Sequence, residues 1–364
     1  MKIRFLIISI TMSGMLLFLA GCGDLGYYWS CLQGQLDVLN RAQPVDTLLV
    51  AADTSPDLRS RLEQAKEIRD FASRALSLPD NDSYRRYANL ERDYAVWNVV
   101  SSPEFSLEPQ NWCFPIAGCV SYRGFFSEDE ADRFAAGLQD GGNDVFRYGV
   151  AAYSTLNWFD DPILNTFWRR SNTSLASLIF HELSHQVVYL PGASDFNEAF
   201  ATSVEIVGTL RWLENHNDSK GKELFKRHYE LNSKFQQLAR TCRETLGKLY
   251  LTSLSDNEKR GEKARILRDF QNLLRDLGRE YGNEQLFSSW LGDDLNNARF
   301  ALLSTYHDLV PAFLNLLAVK NYNLEKFFIE VERLSKLPKE ERLAVLNHLQ
   351  SLKLYASLWD IHRS

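Results

Sequence analysis

Two histidines four residues apart, with a glutamate beside the first, are the residues of this chain best suited to do chemistry. They form the run His181-Glu182-Leu183-Ser184-His185. Residues four apart lie on one face of a helix, so both imidazoles can bind a single metal ion. Glu182 is then placed to take a proton from a water that the metal activates. The run therefore predicts hydrolysis assisted by one zinc ion. The alternative is a pair of buried histidines without a metal.

The residues around this run favour a buried helix. Ser171-Asn172-Thr173-Ser174 offers several N-cap residues before it. Apolar residues recur at helical spacing at Leu175, Leu178, Ile179, Leu183, Val187 and Val188. Pro191-Gly192 is expected to end the helix. Ser194 or Asp195 is then expected to cap the helix that follows.

A catalytic zinc also needs a third protein ligand and an open position for water. The segment Asn197-Glu198-Ala199 resembles the third-ligand segment of the thermolysin-like peptidases, the gluzincins, and that resemblance makes Glu198 the predicted ligand. Only 12 residues separate His185 from Glu198, so the connection is shorter than in thermolysin. Glu205 is the rival ligand. Otherwise Glu205 would contact a residue that binds the metal, would contact a substrate amine, or would be an ordinary polar helix position.

A donor for the oxyanion of the reaction is expected from a later segment, since gluzincins use a Tyr or His there. Tyr306 and His307 are the candidates. Adjacent residues on a helix diverge by about 100°, so only one of them would face the metal. We prefer His307, because Asp308 is available to orient an imidazole. Core packing is the alternative for both.

Substrate contacts are expected on the strand that precedes the metal-binding helix. In zincins an edge strand binds the peptide backbone by strand addition, and residues 148–155 lie at the corresponding place. Tyr153 and Asn157 are the predicted substrate contacts, although a structural role is an equal alternative for each. The carboxylates available to bind a substrate amine are Glu205, Asp160 and Asp161.

The N-terminus predicts export and lipid attachment. Lys2 and Arg4 precede an apolar run, residues 5–19, which ends in Leu19-Ala20-Gly21-Cys22. This pattern is typical of a bacterial lipoprotein signal that is cleaved before Cys22, which then carries the lipid. A spanning helix would need about 20 apolar residues. The glycine after the cysteine indicates the outer membrane, with the protein facing the periplasm.

Charge and cysteine content agree with an exported globular protein. The net charge is −6, and removal of residues 1–21 takes away two positive charges and no negative ones, which gives −8. Such a chain has no electrostatic surface for nucleic acid. Cys113 and Cys119 are predicted to form a disulfide across a short loop. Cys31 and Cys242 would form a second bridge or remain free.

The distribution of apolar residues predicts one domain, residues 22–364, after the signal. Residues 25–93 are expected to be helical. Residues 94–160 are expected to be rich in strands, with a short helix over 128–138. Residues 161–364 are expected to be helical again. The predicted fold is α+β and zincin-like, with a small sheet, including an edge strand, against a mainly helical body.

Four blocks in order extend the resemblance beyond one motif. They are residues 112–119, 152–162, 179–186 and 196–202. Together they resemble a family of bacterial lipoproteins identified as predicted zinc-dependent aminopeptidases. The resemblance implies a lipid-anchored zinc aminopeptidase with a peptide substrate. A zinc endopeptidase acting on envelope proteins or peptidoglycan peptides is one alternative, and a non-catalytic lipoprotein is another. Glu182 argues against the latter, since a structural zinc has no use for a general base.

Overall fold

Helices form most of the protein. The computed structural model describes residues 22–114, 118–153, 155, 159–167, 171–306, 309–352 and 354. In this part of the chain, small sheets of two or three strands accompany the helices. The predicted α+β class is confirmed. None of the helices described is long and apolar enough to cross a bilayer.

The N-terminal part begins with the helices α1 (Cys22–Arg41), α2 (Val45–Val50) and α3 (Pro56–Leu76). Helix α3 starts after Ser55, whose side chain accepts a hydrogen bond from the Leu58 N–H. It ends at Ser77, which has left-handed backbone angles with φ of 53°. The prediction of helix over the whole of 25–93 is therefore wrong beyond α3. Pro79 and the polar residues after it favour turns instead.

The strands that the structure describes are β1 (Gln43–Pro44), β2 (Arg86–Ala88), β3 (Val96–Pro103), β4 (Trp112–Phe114), β5 (Gly118–Val120), β6 (Arg123–Phe125), β7 (Asn143–Val150) and β8 (Ile163–Leu164). One sheet has the order β1-β2-β8, with β2 and β8 parallel. A second has the order β6-β3-β7 and is antiparallel throughout. Strand β7 lies at an edge of the second sheet. Helix α4 (Glu128–Asp140) connects β6 to β7 and packs on this sheet.

The hairpin of β4 and β5 carries a disulfide between Cys113 and Cys119, the pair that the spacing predicts. Gly118 has a φ of +74°, and a Cβ at this position would lie 2.8 Å from the backbone nitrogen of Gly192. The hairpin therefore rests directly on the loop that contains Gly192. Of the cysteines left open by the sequence, Cys31 is partly buried and Cys242 is buried, and both are free thiols.

The C-terminal part consists of α5 (Asn172–His185), α6 (Ser194–Asn215), α7 (Ser219–Tyr250), α8 (Asp256–Glu280), α9 (Asn297–Tyr306), α10 (Val310–Val319), α11 (Leu324–Ser335) and α12 (Lys339–Ser351). The larger hydrophobic core includes buried phenylalanines of α5, α6, α10 and α11, namely Phe180, Phe200, Phe313 and Phe327. A separate core lies between α7 and α8 around Phe235 and Phe270. Helices α5 and α6 are therefore fixed by the larger core, and they carry the residues described next.

Candidate active site

Helix α5 presents both histidines of the motif on one face. The side chain of Ser171 caps the helix by accepting a hydrogen bond from the Ser174 N–H. The rings of His181 and His185 lie 5.0 Å apart between centroids, with an angle of 81° between their planes. The helix ends at His185, before the predicted stop at Pro191-Gly192. One helical turn thus places two imidazoles side by side at the end of a buried helix.

Glu198 of α6 meets the two histidines. One of its carboxylate oxygens lies 3.3 Å from His181 Nε2, and the other lies 3.6 Å from His185 Nε2. The ligand atoms of the three residues all lie within 4.8 Å of one another, a group that can hold a metal ion. The structure therefore brings together the three residues that the sequence predicts as ligands.

The short connection between α5 and α6 is fixed by Asn197, which precedes Glu198. Its side-chain oxygen accepts a hydrogen bond from the Leu190 N–H at 2.8 Å, and its side-chain nitrogen donates to the Leu190 carbonyl at 2.9 Å. Neither Ser194 nor Asp195 caps α6, contrary to expectation: the N-cap residue is Ala193, which makes no side-chain cap. Asn197 instead forms hydrogen bonds with the backbone of the connection, and these bonds fix the position of Glu198.

Glu205 lies two helical turns after Glu198 and contacts the other nitrogen of His181. The distance from its carboxylate oxygen to His181 Nδ1 is 3.0 Å. This hydrogen bond leaves Nε2 of the same ring directed at Glu198. Metal-binding histidines are commonly oriented by a carboxylate in this way. The placement favours an orienting role for Glu205 over its alternatives as third ligand or amine contact.

Burial and neighbouring charges shift the pKa of each titratable group of the motif. Burial raises the pKa of the Glu182 carboxyl to about 7, and the negative charges of Glu198, Asp161 and Glu205 act in the same direction. Burial also lowers the pKa of His185 to about 4. Burial opposes protonation of His181 as well, but its hydrogen bonds to Glu198 and Glu205 outweigh this and raise its pKa.

This donor set fits a divalent cation. Two imidazole nitrogens and one carboxylate converge, and His181 has its second nitrogen held by Glu205. The neighbouring charges that act most strongly on Glu182 are three carboxylates and a single histidine. A cation bound between the three ligands would balance these carboxylates. Imidazole and carboxylate ligands in this number suit zinc.

A loop that sequence reasoning missed brings Tyr84 to the site. Tyr84 is 2% exposed and has a φ of +61°, which is rare for a bulky residue. Its N–H donates to the Asp161 carbonyl at 2.6 Å, and its hydroxyl is buried without a hydrogen-bond partner in the described part of the protein. Burial raises the pKa of Tyr84, and the charges of Glu182 and Asp161 add to this effect. No local sequence signal marks a tyrosine with such a backbone.

The loop before Tyr84 is fixed from both sides. The buried guanidinium of Arg69 donates hydrogen bonds to the carbonyls of Pro79, Asn81 and Ser83. On the other side, the Asn81 side chain donates to the Gln186 amide oxygen, and the Gln186 amide donates to the Ser83 hydroxyl. Because Gln186 directly follows His185, these hydrogen bonds hold the loop against the end of α5.

The charge of Glu198 acts on three further tyrosines. Burial raises the pKa of Tyr122, Tyr148 and Tyr189, and in each case the charge of Glu198 contributes. The pKa of Tyr148 reaches about 12, although its hydroxyl accepts a hydrogen bond from Asn98 at 3.3 Å. Sequence reasoning singled out none of these hydroxyls as a donor to the site.

Comparison with known proteins identifies the family of this chain. The model of a family described as "Putative aminopeptidase" matches residues 26–346. The chain belongs to this family. No curated protein and no solved structure matches it. Membership supports a peptidase with a peptide substrate.

The remaining predicted residues lie elsewhere or outside the described part. The Tyr153 hydroxyl donates to Gln35 of α1 at 2.6 Å, so it faces the N-terminal helix, and a substrate contact by Tyr153 stays a prediction. Asn157 and His307 lie outside the described residues. Tyr306 is the last residue of α9, and its side chain is not among those described.

The aspartates considered for amine binding differ from each other. Asp161 is buried, and its carboxylate accepts hydrogen bonds from the Thr155 N–H and hydroxyl. Asp160 is exposed. Asp161 thus acts on Glu182 through its charge while its oxygens are held by Thr155.

Proposed function

We propose that this protein is a zinc-dependent aminopeptidase of zincin-like fold. The observation that carries the proposal is the convergence of His181, His185 and Glu198 directly beside Glu182. The three ligand residues would hold one zinc ion. A bound zinc supplies Lewis acidity, which lowers the pKa of water toward neutrality and polarises a carbonyl.

The protein residues perform the proton transfers of the proposed reaction. Glu182 takes the proton of the attacking water and passes it to the nitrogen of the leaving amine. Its ordinary pKa of 4.5 is raised by burial to about 7, which makes the carboxylate a stronger base. Glu205 holds the ring of His181 in the orientation that directs Nε2 to the site. Tyr306 or His307 remains the predicted donor to the oxyanion.

The peptide would bind along strand β7. This strand lies at the edge of its sheet, with β3 on one side. An extended peptide can add to such an edge through backbone hydrogen bonds. Strand addition would fix the peptide backbone. Cleavage would require a free N-terminus if the site also binds the amine of the first residue.

The test compares matched peptides with free and acetylated N-termini. The zinc-loaded chain is assayed on both, with Glu182→Gln as the blank. We expect cleavage of the free peptide alone, and none by the variant. Cleavage of both peptides would make the protein an endopeptidase of envelope proteins or peptidoglycan peptides. Cleavage of neither, over a broad peptide library, would contradict the catalytic proposal and favour a non-catalytic role.

We further propose that the protein is a lipoprotein attached through Cys22, in the outer membrane and facing the periplasm. The support is the sequence Leu19-Ala20-Gly21-Cys22 after an apolar run. Mass spectrometry of the mature N-terminus tests this directly. An acylated peptide that begins at Cys22 is expected, and it should disappear in Cys22→Ser. An unmodified mature N-terminus would contradict the proposal.

A further inference from the structure

One face of α1 is covered with large apolar side chains that remain exposed. They belong to Leu25, Tyr28, Trp29, Leu32 and Leu36, which we call the apolar stripe. Leu25 and Trp29 are each 60% exposed, and the other three are 44–46% exposed. At 100° per residue, these five positions fall within a sector about 100° wide on the helix.

The opposite face of α1 is fixed to the rest of the protein. The Tyr27 hydroxyl donates to the Gly124 carbonyl at 3.0 Å, and the Ser30 hydroxyl donates to Glu130 at 2.7 Å. At Gly34 the helix lies so close to the ring of Phe126 that a Cβ would come within 2.1 Å of it. The fold therefore holds the helix in one rotation, with the apolar stripe facing outward.

Such a stripe differs from the isolated apolar residues found on any protein surface. Leu224, Leu251 and Ile329 are also well exposed, but they lie far apart in the chain. Leaving a contiguous set of leucines and aromatics in water is unfavourable, and such a set marks an interaction surface. The stripe is therefore suited to contact a partner with an apolar surface.

The position of the stripe selects a lipid bilayer as that partner. Cys22, the proposed site of lipid attachment, precedes Leu25 by three residues and Trp29 by seven, which is the spacing of one helical face. A lipid at this position would hold the start of the stripe at the membrane. Tyrosine and tryptophan are enriched where hydrocarbon meets water. Asp24, Asp37 and Arg41 are the charged residues of the helix, so attraction to anionic lipids is not the driving force.

We propose that the apolar stripe lies in the interfacial region of the bilayer and fixes the orientation of the protein on the membrane. The choice of partner rests on the proposed lipid attachment at Cys22, whereas the stripe itself needs no acyl chain to bind. Amphipathic helices bind bilayers in this way, with affinity that grows with the apolar area buried. The active site would then be held in a constant orientation to the membrane.

The experiment uses the chain from residue 22 onward with Cys22→Ser, which removes acylation and retains every contact described above. Its co-sedimentation with zwitterionic phosphatidylcholine vesicles is compared between two variants. One carries Leu25→Gln, Trp29→Gln and Leu32→Gln in the stripe. The matched control carries Leu224→Gln, Leu251→Gln and Ile329→Gln. We expect partitioning at least about tenfold weaker for the stripe variant alone, and little effect of salt.

Each other outcome overturns the proposal. Equal partitioning of both variants would exclude the stripe as the membrane contact. No binding to vesicles, with dimers in sedimentation equilibrium that the stripe variant loses, would identify a second copy of the chain as the partner. Cleavage of soluble peptides separates this test from the proposed function. All three proteins should have the same activity, and its absence from all three would reject the peptidase without affecting the result with vesicles.

Discussion

The active site and the helix pair α7–α8 use charged residues in opposite ways. On α8, Arg265 forms ion pairs with Glu262 at 2.8 Å and Asp269 at 3.0 Å, and all three side chains are about half exposed. In the candidate active site, His181 and Glu198 are largely buried, and the carboxylates of Glu198 and Glu205 lie against the rings of His181 and His185. Carboxylates on the surface are thus paired with arginine in contact with water, whereas those at the site are buried beside imidazoles.

The difference between exposed and buried charges indicates where a change of charge should affect function. Exposed ion pairs keep much of their hydration, and each contributes little to stability. Buried carboxylates lose hydration and require a positive charge nearby. The site has this requirement because α5 and α6 bring Glu182, Glu198 and Glu205 together. Substitutions at the site should therefore affect metal binding and catalysis. Substitutions of charged residues on α8 should have little effect on activity or stability.

The largest effect is expected from loss of the general base. Glu182→Gln should reduce kcat at least about 100-fold, because the amide cannot accept the proton of water. Zinc content, measured by atomic absorption, should remain one ion per chain. The matched control is Glu262→Gln on α8, which should retain the activity of the unmodified protein. A zinc-loaded Glu182→Gln variant with normal kcat would show that another group is the base.

Metal affinity should distinguish Glu198 from Glu205. Glu205→Gln should weaken zinc binding roughly 10–100-fold, as expected for a group that orients a ligand. Glu198→Gln should weaken it further, since Glu198 would bind the ion directly. Competition with a chromophoric chelator measures both. If the Glu205 variant loses more affinity than the Glu198 variant, the assignment of the third ligand must be reversed.

The pH dependence of stability in the metal-free protein tests the burial of Glu182. Its pKa is raised from 4.5 to about 7, so the folded protein holds a proton that the unfolded chain releases in this window. Relative to Glu182→Gln, the unmodified protein should lose on the order of 2 kcal/mol of stability as pH rises from about 4.5 to 7.

Comparison with this variant is needed because His185 acts in the opposite direction. Its pKa is lowered from 6.5 to about 4, so its contribution to stability increases as pH rises between these values. Denaturant titrations in a chelator at pH 5 and pH 8 measure the difference between the two proteins. A difference that does not change with pH would show that Glu182 is solvated in the folded state.

The smallest effect is expected on the surface. Arg265→Ala should leave the free energy of unfolding unchanged within the error of the measurement, because both of its ion pairs are exposed. Urea denaturation of the zinc-loaded protein measures this. A larger loss would mean that ion pairs of α8 support the core beneath them, and the contrast with the active site would weaken.

Local patterns in the chain were sufficient for the centre of the site. The four-residue spacing of His181 and His185 places them on one helical face in any helix, so no distant contact is needed to predict their proximity. The Asn-Glu-Ala segment pointed to Glu198, and the structure places it against both rings. The pairing of Cys113 with Cys119 also follows from a short-range pattern.

The surroundings of the site depended on contacts between residues far apart in the chain. The helical periodicity of residues 25–76 does not predict that the loop after it forms hydrogen bonds with Gln186. Tyr84 has a left-handed backbone conformation in a loop that hydrogen bonds to Arg69 and Asp161 hold in place. Such an arrangement is stabilised by packing and is invisible to local propensity.

The sequence by itself predicted a metal site and a base, because helical spacing places His181, Glu182 and His185 together and the gluzincin resemblance indicates Glu198. Tertiary structure alone decided that Glu205 orients His181 and that Tyr153 faces α1. The physical reason is that each of these roles depends on which distant residue the side chain contacts in the folded protein. That choice is made when separate helices pack into one core.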